Sequence, residues 1–281
     1  MPAQPRSGEG LFTERTPRVS AARTLLRRRD RERSGRFLAE GAQAVREALA
    51  FGSVEELFLT ERAAARHPDL LGSADAVVSL ITERAAAGLS DTATPQGIVA
   101  VCATVGLVAQ DALRGTRLVA VLAGVADPGN AGTVIRVADA AGAGAVLFTG
   151  DSVDPHNGKC VRASTGSLFH LALGLEPDPF RAVAACREAG LQVLATDGAA
   201  GRDLDDVIDC GALAAPTAWL LGSEAHGLDP VLRAAADDAV AIPLHGRAES
   251  LNLATAAAVC LYASARAHRR PVPSEQAVED R

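Results

Sequence analysis

The chain has 281 residues, of which 48% are hydrophobic and only 3% aromatic, so Ala, Val and Leu must fill its core. This length is sufficient for two domains. No apolar run approaches the roughly 20 residues that span a bilayer, and the first ten residues lack the apolar core of a signal peptide. The five cysteines form no CxxC pair, which favours a reducing compartment and gives no metal site. We therefore expect a cytoplasmic protein without a membrane or metal partner.

The net charge of −6 is unevenly distributed. Residues 1–36 contain ten arginines and four acidic residues, a net charge of +6, so the rest of the chain carries −12. An arginine-rich arm on an acidic body can bind the phosphates of RNA. The alternative is a solvated, charged helix surface, and charge alone leaves both interpretations open.

The first part of the chain predicts a small domain of mixed strands and helices. A flexible tail is expected over 1–17. Residues 18–104 contain four strand candidates and a helix, in the order RFLAEG, AQAVREALAF (the helix), VEELFLT, AVVSLI and GIVAVCA. The weakly apolar stretch 105–116 is predicted to be a linker.

From 117 to 268 strands and helices alternate more strongly. The strand candidates are RLVAVLAGV, AVLFTG, LQVLATDG, AWLLGSE and AVAIPL, with helices between them and a long final helix from Leu251 to His268. Such alternation is typical of a parallel sheet covered on both faces. Residues 269–281 are expected to form a flexible tail.

Three strand ends carry polar, glycine-containing loops, and ligands of open parallel sheets bind at such ends. In DPGNAGTVIR, Asn130 is predicted to cap the following helix, Gly132 allows another backbone to approach, and Arg136 points back to the same edge. Taken alone, this segment is also compatible with an ordinary strand, turn and helix that carries a surface arginine.

The other two strand ends are WLLGSEAHGLDP and AIPLHGRAESLN. In the first, Gly222 follows the strand directly and Glu224 lies in a loop closed by Gly227, where exposed backbone amides suit a nucleoside ligand. In the second, Ser250 is predicted to be the N-cap of the final helix. The sequence contains no GxxxxGK[ST] motif and no complete GxGxxG motif at a helix start, so P-loop and Rossmann sites are not expected.

Together, N-x-G-x-x-x-R, G-x-E-x-x-G and S-L-N before a terminal helix resemble the motifs of the SpoU (TrmH-like) ribose 2′-O-methyltransferases of the SPOUT superfamily. The resemblance covers roughly residues 117–268. The segment DPHNGKCVRASTGSLF is similar to one common in the ribosomal-RNA members of that family. Residues 18–104 resemble, more weakly, their small substrate-binding domain of the L30e type.

The resemblance implies an α/β fold in which a parallel-sheet SPOUT methyltransferase domain is tied in a deep trefoil knot, beside a smaller N-terminal L30e-like α/β domain. Knotted folds are rare exceptions to a general rule. It also implies that S-adenosyl-L-methionine (AdoMet) is the cofactor and that the protein is a homodimer with its site at the subunit interface. Gly222, Ile242 and Leu251 would contact AdoMet largely through their backbone, and Thr196 would lie near the adenine.

The implied reaction is attack of a ribose 2′-hydroxyl on the AdoMet methyl group. Arg136 would accept the hydroxyl proton transiently or stabilise the developing alkoxide, and both roles stay open. Asn130 would position Arg136 or the ribose, and Ser250 and Asn252 would bind near the point of methyl transfer. Glu224 would brace the motif loops by hydrogen bonding.

Lys159, the only lysine of the chain, and Arg162 are predicted to face RNA phosphates, the alternative being a charged helix surface. The expected substrate is 23S ribosomal RNA, because the additional N-terminal domain is similar to that of the ribosomal-RNA members. A transfer-RNA methyltransferase and a catalytically inactive RNA-binding protein are the alternatives.

Overall fold

Residues 10–72 and 76–269 are described by the computed structural model. The strands are β1 (Arg36–Glu40), β2 (Val54–Thr60), β3 (Val77–Ile81), β4 (Ile98–Ala103), β5 (Leu118–Ala123), β6 (Ala145–Thr149), β7 (Ala172–Glu176), β8 (Gln192–Thr196), β9 (Arg202–Asp203), β10 (Thr217–Leu221) and β11 (Asp238–Ala241).

The helices are α1 (Pro17–Thr24), α2 (Arg28–Ser34), α3 (Ala42–Phe51), α4 (Glu61–Arg66), α5 (Asp69–Gly72), α6 (Glu83–Gly88), α7 (Ala109–Ala112), α8 (Pro128–Ala141), α9 (Gly158–Ser164), α10 (Pro179–Glu188), α11 (Leu204–Asp209), α12 (Pro230–Ala234) and α13 (Leu253–Arg269). None of the helices in the described ranges combines the length and apolar character that a bilayer crossing requires.

The N-terminal sheet has four strands in the order β1-β4-β2-β3. Its alternating strands bury side chains on both faces, as Phe37 and Leu38 of β1 belong to different hydrophobic clusters. The expected flexible tail over 1–17 is wrong for residues 12–17. Phe12 exchanges backbone hydrogen bonds with Leu80 and Thr82 at the edge of β3, and α1 begins at Pro17. Residues 1–9 lie outside the described ranges.

The larger sheet has seven strands in the order β7-β6-β5-β10-β8-β11-β9, and every adjacent pair is parallel. The interior strand β5 is buried throughout because helices cover both faces, as the alternating pattern predicts. Two strands were not predicted: β7 lies at an edge and exposes Leu175, and β9 has two residues. Strand β9 is too short, and β7 too mixed in polarity, to give a periodic hydrophobic pattern.

Residues 105–116 are part of the large domain, which corrects the prediction of a linker. Leu107 forms a parallel bridge with Gly174 of β7. Ala109, Ala112 and Leu113 are buried in the hydrophobic cluster on one face of the large sheet. The segment therefore covers the sheet, although its small side chains give it a weak apolar pattern. Of the C-terminal tail expected over 269–281, Arg269 ends α13 and residues 270–281 lie outside the described ranges.

The two domains share one hydrophobic cluster. It joins Phe37 and Ala39 of the small domain to Val161 and Phe169 of the large one. The rings of Phe37 and Phe169 stack with their centroids 5.9 Å apart. The domains are thus packed against each other through apolar side chains that are removed from water.

Polar contacts reinforce this seam between the domains. Arg31 of α2 forms a nearly buried ion pair of 2.7 Å with Asp154 of the large domain. Burial alone would raise the pKa of Asp154, but hydrogen bonds from His156 and Arg31 outweigh it and lower that pKa well below its ordinary value. At the same seam, Glu40 of β1 accepts a hydrogen bond of 3.1 Å from Arg162 of α9.

Candidate active site

A cavity of about 540 Å³ lies at the carboxyl edge of the large sheet. The loops that follow β5, β8, β10 and β11 enclose it, as expected for a parallel sheet. Eight residues predicted from the sequence line this cavity, namely Asn130, Thr196, Gly222, Glu224, Ile242, Ser250, Leu251 and Asn252. Three other predicted residues, Arg136, Lys159 and Arg162, are not among those that line it.

Asn130 connects the three motif loops. Its side-chain nitrogen donates a hydrogen bond of 2.8 Å to Oε1 of Glu224, and its side-chain oxygen accepts one of 3.0 Å from Asn252. Both polar atoms of the Asn130 amide are therefore used, and the orientation of the amide is determined by two partners that differ in chemistry. The network holds loops that are far apart in sequence at one point of the cavity.

The cap of α8 is Asp127, and the prediction that Asn130 caps this helix is wrong. Oδ1 of Asp127 accepts a hydrogen bond of 2.8 Å from the backbone N–H of Asn130, and Pro128 occupies the first helical position. Oδ2 of Asp127 lies 2.7 Å from Nζ of Lys159. Two hydrogen bonds, one from Lys159 and one from the backbone N–H of Asn130, lower the pKa of Asp127. The side chain of Asn130 is consequently not used for the cap and bonds Glu224 and Asn252 instead.

The prediction that Ser250 caps the final helix is also wrong. Helix α13 begins at Leu253, and Oδ1 of Asn252 accepts hydrogen bonds from the backbone N–H groups of Ala254 (2.9 Å) and Thr255 (3.4 Å). Asn252 therefore caps the helix with its oxygen and holds Asn130 with its nitrogen. Ser250 lies in the exposed loop that lines the cavity.

The loop after β10 is closed by two backbone hydrogen bonds between Ser223 and Gly227. A Cβ atom at Gly222 would collide with the backbone of Gly227 and Leu228. The conformation of the loop itself therefore requires glycine at position 222. A ligand depends on this glycine only because it depends on the shape of the loop. A glycine at a tight approach of two backbones is a usual solution.

Arg136 lies on α8 with an exposed side chain, and its Nη1 is 3.5 Å from Oγ1 of Thr165. Gly132, on the same helix, lets the backbone of Cys160 approach, because a Cβ atom there would collide with the Cys160 carbonyl. This confirms the expected close approach of a second backbone at Gly132. Arg162 forms ion pairs with Glu40 and Asp91 at the domain seam.

Sequence reasoning missed Asp197 and Glu249, two carboxylates that line the cavity. Asp197 follows β8 directly, so its position at a strand end was the available signal. Glu249 precedes Ser250 in a loop without regular structure, and no periodic pattern marks it.

A parallel sheet with a polar, glycine-lined cavity at its carboxyl edge defines an α/β protein that binds a nucleotide-like ligand. Residues 117–262 match the SpoU rRNA Methylase family, and residues 16–100 match the MRM3-like substrate binding domain. The chain belongs to the SpoU rRNA methylase family.

Relatives resemble this chain over both domains. The 23S rRNA (guanosine(2553)-2′-O)-methyltransferase RlmP of Bacillus subtilis (strain 168) is 32% identical over 253 residues, which are 90% of this chain and 97% of the relative. An AdoMet-bound rRNA methyltransferase from Sinorhizobium meliloti has a TM-score of 0.77 at 28% identity, covering 92% of this chain and 97% of that one. The SpoU methyltransferase AviRb from Streptomyces viridochromogenes, solved with AdoMet, has a TM-score of 0.76 at 30% identity, covering 90% and 98%.

Proposed function

We propose that this protein is an AdoMet-dependent methyltransferase that methylates a ribose 2′-hydroxyl in 23S ribosomal RNA. The observation that carries the proposal is the network of Asn130, Glu224 and Asn252, which joins three motif loops at one cavity. Membership of the SpoU family and the similarity to RlmP along nearly the whole chain support the substrate class.

The cavity fits AdoMet in size and chemistry. Its volume of about 540 Å³ lies within the roughly 300–1,000 Å³ of small-molecule sites. Ile242 and Leu251 offer apolar surface, and Glu249 offers a carboxylate for a hydroxyl or ammonium group. The carboxylate of Asp197 also lines the cavity, but it already pairs with Arg233 and accepts a hydrogen bond of 2.9 Å from the backbone N–H of Ala199. We assign AdoMet contacts to Ile242, Leu251, Thr196 and Gly222, as the family resemblance implies. When bound, AdoMet supplies a methyl group on a positively charged sulfur.

The residues of the chain provide the remaining chemistry. A ribose hydroxyl becomes a good nucleophile only as its proton leaves. The charged guanidinium of Arg136 has no lone pair for that proton, so we assign it the stabilisation of the developing alkoxide, and the proton passes to solvent water. Asn130 is held in one orientation by Glu224 and Asn252 and positions the reacting groups, and Ser250 binds near the point of transfer.

The arm supports RNA binding. In the described ranges, Arg15, Arg23, Arg27 and Arg29 are exposed and form no ion pair, whereas neighbouring arginines such as Arg28 are paired. Unpaired guanidinium groups are available to RNA phosphates without breaking an existing contact. Lys159 and Arg162 remain predicted RNA contacts, and each would have to exchange carboxylate partners for phosphates.

We also propose that the protein is a homodimer of the cytoplasm. Helix α13 exposes Val259 (37%) and Tyr262 (52%), and Val259 lines a surface cavity with Leu244, which is 40% exposed. Neighbouring apolar groups in water favour association. The trefoil knot belongs to the same proposal, which rests on the family resemblance.

The test is methyl transfer from labelled AdoMet to 23S ribosomal RNA and, in parallel, to transfer RNA. The account expects label in the ribosomal RNA, and much less with the Arg136→Ala variant. Label in transfer RNA alone would show that the substrate is transfer RNA. RNA binding without any methyl transfer would indicate an inactive RNA-binding protein.

A further inference from the structure

Thr165 is the only non-glycine residue with a left-handed backbone in the described ranges, at φ 54°. It forms the C-cap of α9. Glycine or asparagine usually occupies such a cap, because the Cβ of other residues crowds the following carbonyl oxygen. A β-branched residue is the least suited to this conformation. Threonine at this place therefore indicates a use for its side chain.

The hydroxyl of Thr165 has two partners, since it donates a hydrogen bond of 3.4 Å to the carbonyl oxygen of Ala163 and can accept one from Arg136. Nη1 of Arg136 lies 3.5 Å from Oγ1 of Thr165, a long hydrogen bond and the only one to this guanidinium among the described residues. The two side chains meet because α8 and α9 pack closely where Gly132 admits the backbone of Cys160. Hydrogen bonds of a catalytic group are often long before the substrate binds.

We propose that Thr165 is a positioning residue for Arg136: its hydroxyl accepts a hydrogen bond from the guanidinium and so orients it for the ribose. The inference rests on the proposed function, in which Arg136 stabilises the alkoxide. An arginine side chain loses much rotamer freedom when it is held in one place. The Thr165 hydroxyl, as a fixed acceptor, limits the rotamers of Arg136 before the reaction. The guanidinium of Arg136 therefore needs less reorganisation as the alkoxide develops.

The turn also has a structural use. Gly166 follows at φ 99°, and its lack of a side chain leaves room for Glu47 of the small domain. The chain then enters the 3-10 helix Ser167–Phe169 at the seam. Glycine at position 165 would serve this turn better than threonine. A structural role alone therefore predicts that Thr165→Gly leaves activity unchanged.

The experiment compares Thr165→Gly, Thr165→Val and Thr165→Ser in the full chain. Gly and Val substitutions remove the hydroxyl, and the Ser substitution keeps it. We expect the first two to lower kcat for methyl transfer about tenfold, the usual effect of losing one hydrogen bond to a charged group. The KM for RNA and the affinity for AdoMet should stay unchanged, and Thr165→Ser should retain most of the rate. The Tm of Thr165→Gly should equal or exceed that of the wild type.

Wild-type rates in both Thr165→Gly and Thr165→Val would overturn the proposal. An equal loss in Thr165→Ser would overturn it too, because the methyl group and not the hydroxyl would then matter. In an Arg136→Ala background, Thr165→Val should reduce the residual rate no further, and an undiminished extra loss would contradict the coupling. If the wild-type protein transfers no methyl group to ribosomal RNA, the proposed function fails instead, which is a distinguishable result.

Discussion

The side-chain nitrogen of Asn130 lies 2.8 Å from Oε1 of Glu224, although 94 residues separate the two in sequence. The contact joins the start of α8 to the loop after β10. Because Asn252 occupies the other polar atom of the same amide, Asn130 cannot rotate without breaking two hydrogen bonds.

Exchanging the donor and acceptor of this pair tests the network. Asn130→Asp places a carboxylate against that of Glu224, and the repulsion should lower the methyl-transfer rate and the Tm. Adding Glu224→Gln restores a donor opposite an acceptor. We expect the double variant to recover part of the rate that the single variant loses, measured in single-turnover reactions. A double variant no better than Asn130→Asp would show that the contact between positions 130 and 224 does not account for the lost rate.

Arg136→Ala should reduce methyl transfer by about 10²–10³, the usual effect of losing a charge aimed at a developing oxyanion. The affinity for AdoMet, measured by calorimetry, should remain near that of the wild type, because Arg136 does not line the cavity. The exposed side chain makes few contacts, so the Tm should also be retained. Transfer at the wild-type rate would remove Arg136 from the catalytic assignment.

Gly222→Ala should weaken AdoMet binding and lower the Tm together, because its Cβ would displace the backbone of Gly227 and Leu228. Gly201→Ala is the matched control, since a Cβ at Gly201 meets nothing within 4 Å. Calorimetry and thermal unfolding of both variants decide the matter. Normal AdoMet affinity in Gly222→Ala would place the cofactor away from this loop.

His170 should make the domain seam dependent on pH. Burial opposes its charge, but hydrogen bonds to Asp139 (2.8 Å) and Glu47 (3.1 Å) outweigh burial and raise the pKa of His170 above its ordinary 6.5. Because the pKa of His170 is higher in the folded chain than in the unfolded chain, protonation of His170 stabilises the fold. This stabilisation is complete below the unfolded pKa and is lost as the pH rises through the folded pKa.

His170→Gln should therefore lower the Tm most below about pH 6 and progressively less as the pH rises through the folded pKa. His245→Gln, in an exposed loop away from the seam, is the control for the loss of an imidazole. Thermal unfolding across this pH range measures the difference. A Tm difference for His170→Gln that stays constant with pH would mean that its charge does not hold the seam.

Periodicity was sufficient to predict the alternation of the large domain, because buried strands such as β5 are continuous apolar runs. Helix caps were predicted less well. Asn130 and Ser250 are good cap residues by type, yet Asp127 and Asn252 form the caps. Several residues near each helix start can cap it, and only the hydrogen bonds distinguish them.

The motifs predicted eight of the seventeen residues that line the cavity, since the motifs lie at strand ends and parallel strands end at one edge. They could not predict the partners of the charged residues. An arginine at position 162 suits a phosphate of RNA and a carboxylate equally well. The structure shows that Arg162 bonds Glu40 of the other domain. The packing of residues 105–116 likewise depends on β7, which the sequence pattern does not reveal.

The most direct test of the central claim is mass spectrometry of nucleosides from unmodified 23S ribosomal RNA treated with the purified protein and methyl-labelled AdoMet. We expect one labelled nucleoside whose label remains on the sugar after the base is cleaved. Label on the free base, or no label in a reaction where AdoMet binds, would contradict this expectation.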